Sequence, residues 1–127
     1  MTSLRLLKLN TVEEIIIGDN CFENVNELVI NGLNRLKSLK IGKNSFTTKR
    51  NDKANDTSRS FHILNCGELK SIEIGEYSFS DYGGLFELRN LPKLESINIG
   101  LVGNDSFNFY YSSFVVEGII DDDIVKK

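Results

Sequence analysis

The chain has 127 residues, 40% of them hydrophobic, and a formal charge of −3, which suits one packed domain and excludes a disordered segment. An acidic balance, with a pI near 5.2, supplies no basic field for nucleic acid or anionic lipid, so neither is expected as a partner. No apolar run approaches the ~20 residues of a spanning helix, and the opening MTSLRLLKLN lacks a signal-peptide pattern. Cys21 and Cys66 form no CxxC pair and are too few for a disulfide framework, which favours a reducing, cytoplasmic setting.

The first predicted element is LRLLKL, with Leu4, Leu6 and Leu9 at offsets 0, +2 and +5. Eight residues after Leu4 comes VEEIIIGDNCF, an alternating run from Val12 that stops at Gly18. Both phrases then return. ELVINGL around Leu28 is followed by LKSLKIGKNSF from Leu36, and SFHILNC around Phe61 by LKSIEIGEYSF from Leu69. LFELRNL around Phe86 is followed by LESINIG from Leu94, whose SF arrives late at Ser106 and Phe107, and SFVVEGI around Phe114 closes the series. The step from the second phrase to the next first phrase is always 8 residues, whereas the return step takes 16, 25, 17 and 20. A constant step marks a fixed turn; insertions gathered on one side are how loops behave along one edge of a solenoid.

Alternation places Leu36, Leu39 and Ile41 on one side of a strand and Lys37 or Ser38 and Lys40 on the other. Strands this short hold only when stacked, so successive coils form parallel sheets around one core. The expected fold is mainly β: a single right-handed solenoid over residues 1–127, with two short parallel strands per coil and four to five coils. Its repeats lie at about 12–35, 36–68, 69–93 and 94–120. Gly18, Gly42, Gly75 and Gly100 end the first strands, where a positive φ would suit a tight corner. Short 3₁₀ or helical turns are expected around Asn44 to Phe46 and Ser78 to Tyr82.

The run LKSLKIGKNSF resembles the leucine-rich repeat signature LxxLxLxxNxL, with Asn44 at the asparagine position and Phe46 closing it. VEEIIIGDNCF matches through Asn20 and Phe22, while the third copy has Tyr77 in place of Asn and the fourth is interrupted at Leu101 to Asn104. The IGxxSF phrase resembles the IGxxAF of BspA-like leucine-rich repeats of bacterial and protist proteins. It departs from them in a period of 24 to 33 residues and in FxLxN where that group has LxxIxIP. The resemblance covers nearly all of residues 4–119. It implies an asparagine bonded to loop backbone between coils, a ligand-binding or scaffolding surface without chemistry of its own, and a cell-surface setting as an alternative compartment.

Stacked first strands would align three outward columns: Glu13, Lys37, Lys70, Glu95; Glu14, Ser38, Ser71, Ser96; and Ile16, Lys40, Glu73, Asn98. The resemblance makes that sheet the docking face. The residues expected to meet a protein partner are Lys37, Ser38, Lys40, Lys70, Ser71, Glu73, Glu95, Ser96 and Asn98, with Lys49 and Arg50 from the insertion. A solvated face with cross-strand charge pairs is the plainer reading, since aromatic and Arg anchors are missing from it. The outward second-strand positions Val29, His62, Leu64, Glu87, Arg89 and Val115 are more apolar.

The insertion TTKRNDKANDTSRS, residues 47–60, is too polar to form a core and is expected to be a mobile excursion, with Lys49, Arg50, Lys53 and Arg59 able to clamp an acidic partner. Tyr77, Tyr82, Phe109, Tyr110 and Tyr111 fall on the same variable edge, either as contact residues or as cover for the core. His62 lies on a different sheet from the serine column, so no Ser-His geometry is expected, and Asp121 to Asp123 match no cation-binding spacing. No enzyme activity, cofactor or metal is expected. The strand at Leu4 opens without a polar cap, which fits a piece of a longer array that self-associates through this edge, while IIDDDIVKK blunts the other end.

Overall fold

The computed structural model describes residues 2–49, 51–100 and 106–118, and among these it consists of strands and turns without a helix. The strands are β1 (Ser3–Leu7), β2 (Glu14–Ile17), β3 (Glu27–Asn31), β4 (Ser38–Ile41), β5 (Ser60–Leu64), β6 (Ser71–Ile74), β7 (Leu85–Arg89), β8 (Ser96–Ile99) and β9 (Ser113–Glu117). Odd-numbered strands form one parallel sheet in the order β1-β3-β5-β7-β9, and even-numbered strands a second, β2-β4-β6-β8. The chain is therefore a β-solenoid of about four turns with two strands per coil.

Register follows the repeat without a slip. Leu4, Leu28, Phe61, Phe86 and Phe114 are successive partners in one sheet; Ile15, Leu39, Ile72 and Ile97 are partners in the other. A one-residue slip would turn every buried side chain outward, so the alternation itself enforces the pairing. Between the sheets lie Leu28, Ile30, Leu39, Ile41, Phe61, Ile63, Ile72, Ile74, Phe86 and Leu88, all buried.

On the variable edge each first strand leaves the sheet through two residues in the left-handed region separated by one that is not: Asn20 and Phe22, Asn44 and Phe46, Tyr77 and Phe79, Phe107 and Phe109. That alternation replaces the expected 3₁₀ or helical turns, because consecutive right-handed dihedrals never accumulate. Of the four corner glycines, Gly100 has the expected positive φ, 73°. Gly42 and Gly75 do not carry the positive φ; a Cβ on Gly75 would lie 2.5 Å from Gly42 C and Lys43 N, so the glycines are required where the backbones of neighbouring coils touch.

The residue between each left-handed pair forms a buried ladder. Ser45 Oγ donates to the Gly18 carbonyl at 2.7 Å and accepts the Cys21 amide at 3.2 Å. One coil on, Ser78 Oγ donates to the Gly42 carbonyl at 2.5 Å and accepts the Ser45 amide at 3.0 Å. In the fourth coil the same place belongs to Asn108, whose Nδ2 reaches the Gly75 carbonyl at 2.7 Å. The fourth closing phrase is thus Asn108-Phe109 and not Ser106-Phe107, and the rings of Phe22, Phe46, Phe79 and Phe109 stack in one column at 5.2, 4.7 and 4.7 Å. Ser106 is shifted because its carbonyl accepts the Tyr77 amide, the position that Glu76 holds for Asn44. The interruption expected at Leu101 to Asn104 lies outside the described residues.

Asn44 does not bridge coils as the resemblance implies. Its side chain pairs with Asn51 of the insertion, Oδ1 accepting the Asn51 amide at 3.0 Å and Nδ2 donating to Oδ1 at 3.2 Å. A carboxamide ladder runs instead along the fixed-turn edge, where Asn65 Nδ2 donates to Asn31 Oδ1 at 3.0 Å and Asn90 Nδ2 to Asn65 Oδ1 at 2.8 Å. Asn65 and Asn90 have φ of 55° and 54°, which explains the Asn in FxLxN: it tolerates the left-handed corner and links coils from there.

Candidate binding surfaces

The even-numbered sheet brings nine of the expected partner-binding residues together. Glu14, Ser38, Ser71 and Ser96 are register partners, as are Ile16, Lys40, Glu73 and Asn98. Backbone bonds from the Lys37, Lys70 and Glu95 amides to the Glu13, Lys37 and Lys70 carbonyls extend the ladder by one residue and align the third column. Lys37, Lys40 and Lys70 sit on the two central coils, with Glu13 and Glu14 to one side and Glu95 to the other. Lys37 Nζ lies 3.0 Å from Glu13, both largely exposed, and its hydrogen bond holds the Glu13 carboxyl below the usual carboxylate range. Ser38 Oγ is 3.4 Å from Glu14 Oε2. Lys40 and Lys70 make no ion pair among the described residues. The result is a mixed-charge face with three lysines and Glu73, opposite Lys40, on its two central coils, acidic residues at its margins and Ile16 exposed at one side.

Lys49 is exposed but lies on the variable edge, away from this face, and Arg50 falls outside the described residues. The insertion itself is not a mobile excursion. Thr48 donates its amide and hydroxyl to Asp81 Oδ2 at 3.0 and 2.9 Å, and Thr47 Oγ1 meets Ser80 Oγ at 2.9 Å. Asp56 pairs with Tyr82 as an isolated parallel bridge, and the amides of Gly83 and Gly84 return to the Asp56 and Arg59 carbonyls. A polar segment can pack when its own hydroxyls and amides meet those of the next coil, which composition does not reveal.

Arg59 is corrected as a clamp residue. It is buried, donating to the Glu23 carbonyl at 3.0 Å and facing Asp56 at 3.3 Å and Asp81 at 3.7 Å. Tyr82 is buried beside it, its hydroxyl donating to the Val25 carbonyl at 2.5 Å, and burial pushes the phenol pKa well above the usual tyrosine value. Among the other edge aromatics Phe109 is core, Tyr77 is half-buried, and Tyr110 and Tyr111 remain exposed. Lys53 is half-buried against Phe107 and Tyr110. Asp121 to Asp123 lie outside the described residues.

On the odd-numbered sheet an arrangement missed at the sequence level appears: His62 Nδ1 is 2.8 Å from Glu87 Oε1 and His62 Nε2 is 3.0 Å from Ser60 Oγ. Ser60 and His62 share a face two residues apart, and Glu87 is the cross-strand partner of His62, so period-two geometry could have found the trio. Its distances match a nucleophile, base and orienting carboxylate, but Glu27 stands directly opposite Ser60 and the strand amides are taken up in the flanking ladders. Glu87 also accepts Arg89 Nε at 2.5 Å, and Arg89 pairs onward with Glu117, which makes the trio part of a cross-strand polar network. An open groove of about 580 Å³ follows the fixed-turn edge, lined by Asn34, Asn65, Gly67, Asn90, Pro92 and Gly118.

Searches against family models, curated proteins and solved structures return no match for this chain.

Proposed function

We propose that the chain is a non-catalytic protein-binding module of leucine-rich-repeat type, docking a partner on the face made by β2, β4, β6 and β8. The observation that carries this reading is the exposure of Lys37, Lys40 and Lys70 on the two central, paired strands of the sheet, where Lys37 aligns with Lys70 and Lys40 with Glu73. Small serines between the charges let another backbone approach, and the charge pattern selects a partner with a central acidic patch. The test is affinity capture from an extract with the wild type, with Lys37→Glu/Lys40→Glu, and with Arg5→Glu on the opposite sheet. A partner lost only with the first variant supports the reading; equal capture by all three overturns it.

A second reading is end-to-end stacking of copies. On the first described coil Leu7, Leu9, Ile16 and Phe22 are exposed, and one face of the Phe22 ring is open where Phe46 and Phe79 are covered on both. The shape that completes this surface is another coil of the same pitch. Light scattering over a concentration series should show growth that Leu4→Lys/Leu6→Lys removes; a constant monomer in both rules the reading out.

A further inference from the structure

Lys53 Nζ lies 4.5 Å from the centroid of Phe107 and 4.3 Å from that of Tyr110. The two rings meet edge to face at 5.4 Å and 81°, forming a corner backed by Tyr77 at 5.9 Å from Phe107 and extended by Tyr111 at 4.9 Å from Tyr110. Among the described residues no carboxylate lies within 4.0 Å of the Lys53 ammonium, which lies over the two ring faces. The insertion does not depend on that contact. It is already fastened by Thr48 to Asp81, by the Ala54 amide to the Ser80 carbonyl, by the Asp56–Tyr82 bridge and by Arg59.

We propose that the Phe107–Tyr110 corner is a binding site for an alkylammonium group, occupied in the free protein by Lys53 and opened to a lysine side chain of a partner protein. A compact ammonium fits a corner equidistant from two ring centroids, whereas a planar guanidinium favours stacking flat on one ring. Tyr110 and Tyr111 are 50% and 43% exposed, so the corner is reachable from solvent by a side chain on a four-carbon stem, as Lys53 itself demonstrates. The tethered lysine competes with any external one, and the apparent affinity for the latter is lowered by the fraction of time the corner is free. This site lies on the variable edge and is independent of the docking face proposed above.

The experiment is a titration of the aromatic NMR signals with N-acetyl-lysine methylamide in the wild type, Lys53→Met and Lys53→Met/Tyr110→Leu. Lys53→Met should bind at least about threefold more tightly than the wild type, the double variant should lose binding, and the neutral norleucine analogue should shift nothing. Equal affinity in wild type and Lys53→Met, or equal shifts with norleucine, overturns the proposal. The wild type provides a second readout that needs no variant. Acetylation of Lys53, followed by mass spectrometry against Lys49, should accelerate in tetramethylammonium chloride relative to sodium chloride of equal concentration; an unchanged rate overturns the proposal equally.

Discussion

Glu87 holds two polar contacts on a largely buried carboxylate, and the Arg89 hydrogen bond, then that from His62, keeps its pKa below the usual carboxylate value against the opposing effect of burial. A folded-state pKa depressed in this way contributes stability that is present above the unfolded carboxylate pKa and is lost as pH falls through the folded value. Glu87→Gln should therefore lower stability by about 1–2 kcal/mol at pH 7, with the difference closing below about pH 4. Urea unfolding at a series of pH values measures this, and a pH-independent difference would show that the carboxylate charge has no part in it. The trio around His62 was hidden at the residue level for a plain reason. Ser60 closes the insertion by composition and also opens the phrase SFHILNC, and counting it with the strand places it on the face of His62.

Coils touch through backbone at Gly75 and stay clear of one another at Gly67. A methyl at Gly75 would press on Gly42 C and Lys43 N at 2.5 Å, and neither atom belongs to a flexible side chain. Gly75→Ala should cost about 2–4 kcal/mol, whereas Gly67→Ala, with nothing within 4 Å, should be neutral or gain a few tenths through the unfolded chain. Ser78→Ala removes the donor to Gly42 and strands the Ser45 amide in a buried position, a loss of about 1–3 kcal/mol. Thermal or urea unfolding of the three variants checks the order Gly75→Ala, Ser78→Ala, Gly67→Ala. Strands, register and outward columns were legible because period two survives in every copy. The ladder identity in the fourth coil was not, because Asn108 replaces serine by reaching with a longer side chain after an interruption that shifts the phrase. Glycine at the corner was read as a dihedral requirement, which holds at Gly100, whereas at Gly42 and Gly75 contact between coils is the cause, and a linear sequence carries no signal that separates the two.

Across the whole molecule the variable edge is knitted by a segment that composition alone assigns to solvent. The insertion leaves the second coil at Thr47, pairs with the third at Ser80 to Gly84, and through Lys53 reaches the fourth, while Arg59 and Tyr82 reach back to carbonyls of Glu23 and Val25. Alternation exposes a sheet, but nothing periodic announces a strap, so the outward face of the even-numbered sheet was legible from sequence and the packed edge was not. The strap converges on Asp81, 2% exposed, whose Oδ2 accepts both Thr48 donors and whose Oδ1 makes no hydrogen bond among the described residues and faces the Arg59 guanidinium at 3.7 Å. Removing the cation alone leaves a buried carboxylate without its counter-charge, so Arg59→Met should destabilise by about 3–5 kcal/mol. Replacing the carboxylate as well restores neutrality, and Asp81→Asn keeps an oxygen for Thr48, so the double variant Arg59→Met/Asp81→Asn should recover part of that loss. Both measurements are made by urea unfolding at neutral pH, with limited trypsin cleavage after Lys49 reporting whether the strap detaches before the core melts. A double variant no more stable than Arg59→Met would mean that the guanidinium acts through its bond to the Glu23 carbonyl and its packing on Tyr82, and not through charge.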